Sequence, residues 1–329
     1  MPLTPLSVAR CVPQTLGVGN SAYDPQVNET PETLHHYTTA SGLQGIFAPK
    51  PINGFPRVPT ERSLTLWASD ARYLNDSQEL SFAANTLADA MLDCVARDDA
   101  NHKDRITNLA ERIRVGNFTD PNPGIDQTAH TAYITSFCSR ADLLSQWRGY
   151  GANGYSIEFP VDVLKSFLVP AMRAGNESIG YLGASQLFPV HYKLDESIIE
   201  AAAEAIVHPA SYSGAAVEKA VECLAQFKHD AFEEEQEWRL IYSAGHQYTA
   251  CDFRPSPTGM LIPYMQLRYT PFNLYEPERD TAYPGKLVES VWVGPSPEQE
   301  LRVESVTRML NQLTFGDIHV THSPTPYRG

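Results

Sequence analysis

The chain has 329 residues, with 25 Lys or Arg against 39 Asp or Glu and a formal net charge of −14. This acidic balance argues against binding duplex DNA through bulk charge, because such binding needs many contacts between cations and phosphates. No apolar stretch reaches about 18 residues, and no apolar leader opens the chain. The five cysteines are scattered and form no CxxC pair. We therefore expect a cytoplasmic protein with reduced thiols and no contact with a membrane.

In chain order, residues 1–31 contain five prolines among polar residues and predict an extended N-terminal arm. Short strands and helices then follow one another without regular βαβ spacing. Apolar periodicity predicts strands at 34–38, 64–68, 133–138, 154–159, 190–192, 237–242, 260–267, 287–293 and 318–320. It predicts helices near 40–47, 77–95, 104–115, 195–207, 215–229 and 298–313.

This mixture predicts an α+β fold with a split, mostly antiparallel sheet and peripheral helices. We expect a single domain over residues 32–329, with a helical insertion at about 77–115. The helix at 104–115 is polar, so we place it at the periphery.

Several motifs of common enzyme classes are absent from the sequence. There is no GxxxxGK[ST], no GxGxxG after a strand, no HExxH and no GxSxG. These absences argue against a P-loop enzyme, a Rossmann dehydrogenase, a zinc protease and an α/β-hydrolase.

Three polar and aromatic clusters remain, each with a structural alternative. In the first predicted strand, His36 shares a face with Leu34, and His35 shares the other face with Tyr37. One histidine can thus face a cleft, although a buried structural histidine fits the pattern too.

The second cluster spans residues 67–76. It places Tyr73 where this side chain can stack on an aromatic ligand; alternatively, the cluster forms a turn and a helix cap. In the third, 145–151, Arg148 suits a phosphate, or the stretch is a tight turn.

A fourth cluster of glutamates is the most specific. Glu235 and Glu237 are expected on one side of a strand, with Trp238 and Leu240 on the other. Two adjacent carboxylates repel, which tends to raise the pKa of at least one of them. Such a pair can bind a sugar hydroxyl and stabilise a developing cation.

The order of these clusters resembles the ADP-ribosyltransferase superfamily: a histidine strand, then a tyrosine after the next strand, then a Glu-x-Glu strand. More closely, the chain resembles an uncharacterised bacterial family over about residues 34–295. The phrases that carry this resemblance are His36-Tyr37-Thr38, Tyr73-Leu74-Asn75-Asp76 with Glu79, Ser145-Gln146-Trp147-Arg148-Gly149-Tyr150-Gly151, and Phe227-Lys228-His229 with Glu235-Gln236-Glu237-Trp238-Arg239.

The resemblance implies an ADP-ribosyltransferase that uses NAD as co-substrate and needs no metal. It implies that Glu237 binds the nicotinamide ribose and stabilises the oxocarbenium-like state, that Glu235 orients or deprotonates the acceptor, and that His36 binds a ribose hydroxyl. The NAD-binding residues that it implies are His36, Tyr37, Thr38, Tyr73, Asn75, Arg148 and Tyr150.

The resemblance further implies a macromolecular acceptor, protein or RNA, and a bacterial defence toxin or effector with an antitoxin or partner protein. Ser136 lies in Thr135-Ser136-Phe137, which departs from the Ser-Thr-Ser triplet of the arginine-modifying branch. The acceptor is therefore open, and DNA bases or a small metabolite are further candidates.

Two other classes of function stay open at this point. The first is a non-catalytic module on the same fold that senses a nucleotide or a partner protein. The second is a metal-dependent nuclease using Asp70, Asp76 and Glu237, which chelators would abolish.

Overall fold

The computed structural model describes residues 30–48, 62–74, 80–97, 103–119, 129–149, 154–170, 181–208, 214–245, 251–256, 259–269 and 285–326. The chain divides into two compact units at Pro31, and the second unit, Glu32–Gly329, contains every element given below. The N-terminal arm predicted for residues 1–31 lies outside the described residues apart from Thr30 and Pro31. Within the described part of the chain, no helix is long and apolar enough to cross a membrane.

The strands are β1 (Thr33–Thr38), β2 (Leu64–Asp70), β3 (His130–Cys138), β4 (Tyr155–Pro160), β5 (Leu168–Pro170), β6 (Tyr181–Ala184), β7 (Gln186–Pro189), β8 (Glu237–Gly245), β9 (Asp252–Pro255), β10 (Leu261–Tyr269), β11 (Ser290–Val293) and β12 (His319–His322). The α-helices are α1 (Ala40–Phe47), α2 (Ala84–Arg97), α3 (Lys103–Arg114), α4 (Leu144–Gly149), α5 (Val161–Leu164), α6 (Glu196–Val207), α7 (Gly214–Leu224) and α8 (Gln299–Gln312). Two short 3₁₀ helices span Ala71–Tyr73 and Asp230–Glu235.

In the described ranges, all the strands belong to one sheet with the path β12-β11-β4-β1-β3-β2-β10-β5-β6. Off this path, β8 pairs with β3 and β7, and β9 pairs with β10. The β11–β12 pair is parallel, and the other strand pairs are antiparallel. The predicted α+β fold with a mostly antiparallel sheet is therefore confirmed.

The sheet divides along one edge of β3. Strand β8 pairs with the whole of the other edge, from His130↔Gly245 to Cys138↔Glu237. The divided edge meets β2 at Tyr133 and Ile134, and it meets β1 at Cys138. We call the segment between these two contacts, Thr135–Phe137, the split.

Among the described residues, two large hydrophobic cores lie against this sheet, and a smaller third cluster joins Tyr37, Cys138, Leu143 and Trp147. Helices α1 and α8 pack on the first, whose members include Leu34, Leu66 and Leu267. Helices α2, α3, α6 and α7 pack on the second, together with Ile134 and Ile241 of the sheet. Because side chains alternate between faces along each strand, β3 and β8 contribute to both cores.

The polar composition of α3 predicted a peripheral helix, but the structure buries one face of it. Its apolar side chains recur at helical spacing and are at most 3% exposed: they are Ile106, Leu109, Ala110 and Ile113. An amphipathic stripe of this kind buries one face of a helix whatever the polarity of the rest. The prediction was wrong because it weighed composition above spacing.

The predicted strand at 190–192 is also displaced, since β7 occupies Gln186–Pro189 instead. His191 instead forms an isolated parallel bridge with Phe227. That bridge lies beyond the end of α7, which stops at Leu224 rather than near residue 229. The carbonyl of Ala225 instead accepts a hydrogen bond from the guanidinium of Arg239, at 2.7 Å.

Candidate functional site

The two glutamates of the Glu-x-Glu motif belong to different elements. Glu237 begins β8, whereas Glu235 is the last residue of the 3₁₀ helix Asp230–Glu235. Gln236 between them has φ 46° and ψ 49°, a left-handed conformation that ends the 3₁₀ helix before β8 begins. Ser139 fixes this turn, because its N–H donates to the Gln236 carbonyl oxygen (3.3 Å) and its hydroxyl donates to Gln236 Oε1 (2.9 Å). The prediction that both glutamates lie on one strand was wrong.

Lys228 nevertheless brings the two carboxylates together. Its Nζ lies 2.8 Å from Glu235 Oε2 and 3.0 Å from Glu237 Oε2. Arg239, which is completely buried, donates from Nε to Glu237 Oε1 (2.9 Å) and from Nη2 to Glu237 Oε2 (3.0 Å). We call Lys228, Glu235, Glu237 and Arg239 the charge cluster; its two cations and two anions balance.

The electrostatics of Glu237 oppose the pKa rise that its sequence context had predicted. Burial would raise the pKa of this carboxyl, but the charges of Arg239 and Lys228 lower it to about 2. Repulsion between the glutamates does not dominate, since cations contact both of them. The expected rise in pKa therefore does not occur at Glu237, which is ionised at neutral pH.

Access differs sharply between the two carboxylates. The Glu237 side chain is 5% exposed, and the Glu235 side chain is 29% exposed. An ionised carboxylate has about four lone-pair sites. Those of Glu237 receive three bonds from the two cations and one from the Ser136 hydroxyl. Within the described ranges, Glu235 accepts a hydrogen bond from Lys228 alone.

His36 occupies the split. Its Nδ1 lies 2.9 Å from the carbonyl oxygen of Ser136, and its ring lies 5.6 Å from that of Phe137. Because a carbonyl oxygen only accepts, Nδ1 carries the hydrogen and donates it. Burial lowers the pKa of His36 despite this hydrogen bond, so the neutral ring is the favoured form. His36 thus satisfies a backbone carbonyl at the point where the two halves of the sheet separate.

The strand register places His36 and Glu237 on opposite faces of the sheet. His35 is paired directly with Cys138, and Cys138 is paired directly with Glu237. Directly paired residues point to the same face, and the next residue along a strand points to the other. His35 therefore shares the face of Glu237, and the structure does not bring His36 to that carboxylate.

Tyr37 also lies on the face of Glu237, where its hydroxyl is used internally. The hydroxyl donates to the carbonyl of Arg140 (2.8 Å) and accepts from the N–H of Leu143 (2.9 Å). The ring packs edge-on against Trp147 at 4.7 Å, and burial raises the pKa of the phenol. Thr38, the last residue of β1, is 7% exposed. Both side chains are parts of the packed interior.

Arg148 lies on a helix next to the charge cluster. It is exposed on α4, which contacts the 3₁₀ helix that ends at Glu235. The neighbouring Trp147 anchors α4: its Nε1 donates to Asp142 Oδ1 (2.6 Å), and its ring packs against Gly294. The motif around Arg148 therefore combines one buried anchor with one exposed cation.

Of the three remaining predicted NAD-binding residues, only Tyr73 lies in the part of the chain that the structure describes. Tyr73 is partly buried, with the guanidinium of Arg72 5.8 Å from its ring centroid. Asn75 and Tyr150 lie outside the described residues. The nuclease alternative named Asp70, which Arg72 binds at 2.7 Å, and Asp76, which is also outside them. In the part of the chain that the structure describes, no group of three His, Cys, Asp or Glu could hold a metal ion.

Sequence reasoning did not foresee Tyr192 as part of the site. Its hydroxyl accepts a hydrogen bond from the N–H of Glu237, at 2.7 Å. Nor did it foresee that Lys228 and Arg239 would pair with the glutamates. Their opposite charges beside the Glu-x-Glu motif were a readable signal for such pairing, whereas no local pattern marks Tyr192.

Comparison with known proteins identifies one domain family. The family described as "Protein of unknown function (DUF2971)" matches residues 146–240. This stretch runs from α4 to β8 and contains the whole charge cluster. No curated protein and no solved structure matches the chain. A DUF2971 domain is therefore present at residues 146–240.

Proposed function

We propose that this protein is an NAD-dependent ADP-ribosyltransferase that moves ADP-ribose to a macromolecular acceptor, protein or RNA. The observation that carries the proposal is the register at Cys138, which is paired with His35 of β1 and with Glu237 of β8. The histidine strand and the Glu-x-Glu strand thus flank one end of β3, beside the split. This arrangement agrees with the order of motifs on which the resemblance to the transferase superfamily rests.

In the proposed reaction, the bond between the nicotinamide nitrogen and C1′ of the ribose breaks, and its electron pair leaves with nicotinamide. The ribose becomes an oxocarbenium-like cation, which a nearby carboxylate stabilises as in glycoside hydrolysis. A nucleophile of the acceptor then forms a bond to C1′ and loses its proton to a base or to water. Glu237 supplies a carboxylate that is ionised at neutral pH, and Glu235 supplies one that is partly exposed.

Nicotinamide release from NAD tests this proposal. We expect the full-length protein to release nicotinamide, and Glu235→Gln and Glu237→Gln to release less. Glu234→Gln is the matched control, because Glu234 is an exposed neighbour on the same 3₁₀ helix. Turnover in Glu237→Gln that equals wild type, in a folded protein, would remove the assignment. Incubation with labelled NAD and cell lysate, followed by protease or nuclease digestion, identifies the acceptor class.

A non-catalytic binding module is the second candidate, and the ion pairs of Glu237 favour it. The oxygens of that carboxylate are already bonded to Arg239, Lys228 and Ser136, and His36 points to the opposite face. A module that binds a nucleotide without turnover needs neither side chain at the ligand. Calorimetry that detects NAD binding, together with no nicotinamide after hours of incubation, would select this candidate.

A further inference from the structure

The two carboxylates of the charge cluster differ in what they can still bind. Glu237 has its lone-pair sites filled by Arg239, Lys228 and Ser136 and is 5% exposed. To accept a bond from a ligand, it would have to release a buried cation. Removing one partner from a buried ion pair is strongly unfavourable. Glu237 is therefore a poor contact for any ligand.

Glu235, in contrast, can accept a further hydrogen bond from a ligand. Its side chain is 29% exposed, and in the described ranges its one hydrogen bond uses Oε2, at 2.8 Å from Lys228 Nζ. In the same described part of the chain, no group donates a hydrogen bond to the other oxygen, Oε1. The backbone at this end of the 3₁₀ helix is fixed by the left-handed Gln236 and its two bonds to Ser139. Glu235 thus presents an available oxygen from a defined position.

Lys228 holds the carboxylate of Glu235 in this position through their ion pair. Its side chain is 8% exposed, and its Nζ lies 4.7 Å from the ring centroid of Phe232. Its backbone N–H donates to the carbonyl of His191 at 3.0 Å. The ammonium is also bound to Glu237, which Arg239 holds in turn. A chain of charge-assisted bonds therefore runs from the core to Glu235.

We propose that Glu235, rather than Glu237, is the carboxylate that touches NAD, by accepting a hydrogen bond from a hydroxyl of the nicotinamide ribose. Lys228 and Glu237 are positioning residues that orient Glu235. This assignment rests on the proposed transferase function, and it reverses the roles that the resemblance gives to the two glutamates.

The test compares kcat/KM for nicotinamide release from NAD, and the unfolding midpoint, in full-length variants. Glu235→Gln should lower kcat/KM by about 10- to 100-fold, the size of one hydrogen bond to a charged group, and leave the midpoint close to wild type. Glu234→Gln should change neither quantity. Wild-type kcat/KM in folded Glu235→Gln would overturn the inference.

Lys228 is tested by a conservative pair of variants. Lys228→Met should lose activity as Glu235→Gln does, whereas Lys228→Arg keeps a cation between the two carboxylates and should recover at least part of kcat/KM. A merely structural role predicts that activity follows the unfolding midpoint in all variants. Equal activity of the folded Met and Arg variants would overturn the positioning role.

Failure of the inference is distinct from failure of the proposed function. If the wild-type protein releases no nicotinamide, the transferase proposal fails, and the assignment of Glu235 fails with it. If the wild type is active, Glu235→Gln is equally active and folded Glu237→Gln is inactive, the transferase proposal stands and only the reversal of roles is wrong.

Discussion

The guanidinium of Arg239 binds both carboxylate oxygens of Glu237 on one face of the sheet, at 2.9 and 3.0 Å. Arg239 is completely buried, and its third nitrogen donates to the carbonyl of Ala225. Residue 225 follows α7, so this one side chain connects the strand that carries Glu237 to the segment that leads to Lys228. The geometry of the charge cluster and the stability of the fold therefore depend on the same bonds.

Removal of Arg239 should destabilise the protein strongly. Arg239→Met leaves Glu237 buried with Lys228 as its remaining cation, and breaking a buried pair costs about 3–5 kcal/mol. Urea unfolding measures the change, with Glu234→Ala as an exposed control expected within about 0.5 kcal/mol of wild type. The double variant Glu237→Met with Arg239→Met should be less unstable than the sum of the single changes. Additive effects would mean that the two residues do not interact.

The low pKa of Glu237 predicts how stability depends on acid. The pKa is about 2 in the folded protein against an ordinary value of 4.5, so the stabilisation is complete above pH 4.5 and is lost as the pH falls toward 2. The contribution at neutral pH is about 3 kcal/mol. Urea unfolding from pH 6 to pH 2.5 should show a smaller loss of stability in Glu237→Gln than in wild type. Parallel curves for the two proteins would contradict the ion-paired state.

His36 should matter for stability through its bond in the split. His36→Leu leaves the carbonyl of Ser136 without its donor and should cost about 1–3 kcal/mol, whereas His36→Asn keeps a nearby N–H and should cost less. The pKa of His36 is lowered in the folded state, so its stabilisation is present above pH 6.5 and declines as the pH falls below that value. Unfolding curves at pH 7.5 and 5.5 should therefore differ less in His36→Asn than in wild type. Equal stability of the Leu and Asn variants would show that the hydrogen bond contributes nothing.

Local patterns predicted much of the fold because they depend on short-range alternation. The strand at Leu64–Asp70 and the helix at Gln299–Gln312 lie within two residues of their predicted bounds. In α1, the Thr39 hydroxyl accepts a hydrogen bond from the N–H of Gly42 and caps the helix, and threonine is a common residue at such a position. The buried stripe of α3 was readable as well, because its apolar residues recur at i, i+3, i+4 and i+7.

The geometry of the site could not be predicted from local patterns, because it depends on strand pairing and on tertiary hydrogen bonds. Which face Glu237 shares with His35 follows from pairing with Cys138, about 100 residues from either partner along the chain. The left-handed conformation of Gln236, which removes Glu235 from the strand, comes from tertiary bonds to Ser139. A glutamine carries no sequence signal for that conformation, unlike a glycine. Motif order thus located the charged residues but not their roles.

The burial of α3 gives a direct test of the second core. Leu109 is completely buried, so Leu109→Ala should lower the free energy of unfolding by about 2–5 kcal/mol. Glu111→Ala lies on the exposed side of the same helix and should change it by less than about 0.5 kcal/mol. Chemical unfolding of both variants at neutral pH measures the difference. A peripheral helix, in contrast, would tolerate both substitutions equally.

Gly294 should tolerate no side chain, because Trp147 and the chain beside it occupy the space. A Cβ at this position would lie 2.9 Å from the carbonyl oxygen of Gly154 and 2.9 Å from Trp147 Cε3. The backbone oxygen has little freedom to retreat, so Gly294→Ala should displace Trp147 and cost about 1–3 kcal/mol. Gly149→Ala is the matched control, since nothing lies within 4 Å of its Cβ position. It should be neutral or stabilise the protein by about 0.4–1 kcal/mol. Tryptophan fluorescence and urea unfolding of the two variants measure the outcome, and equal stability would show that Trp147 does not depend on this glycine.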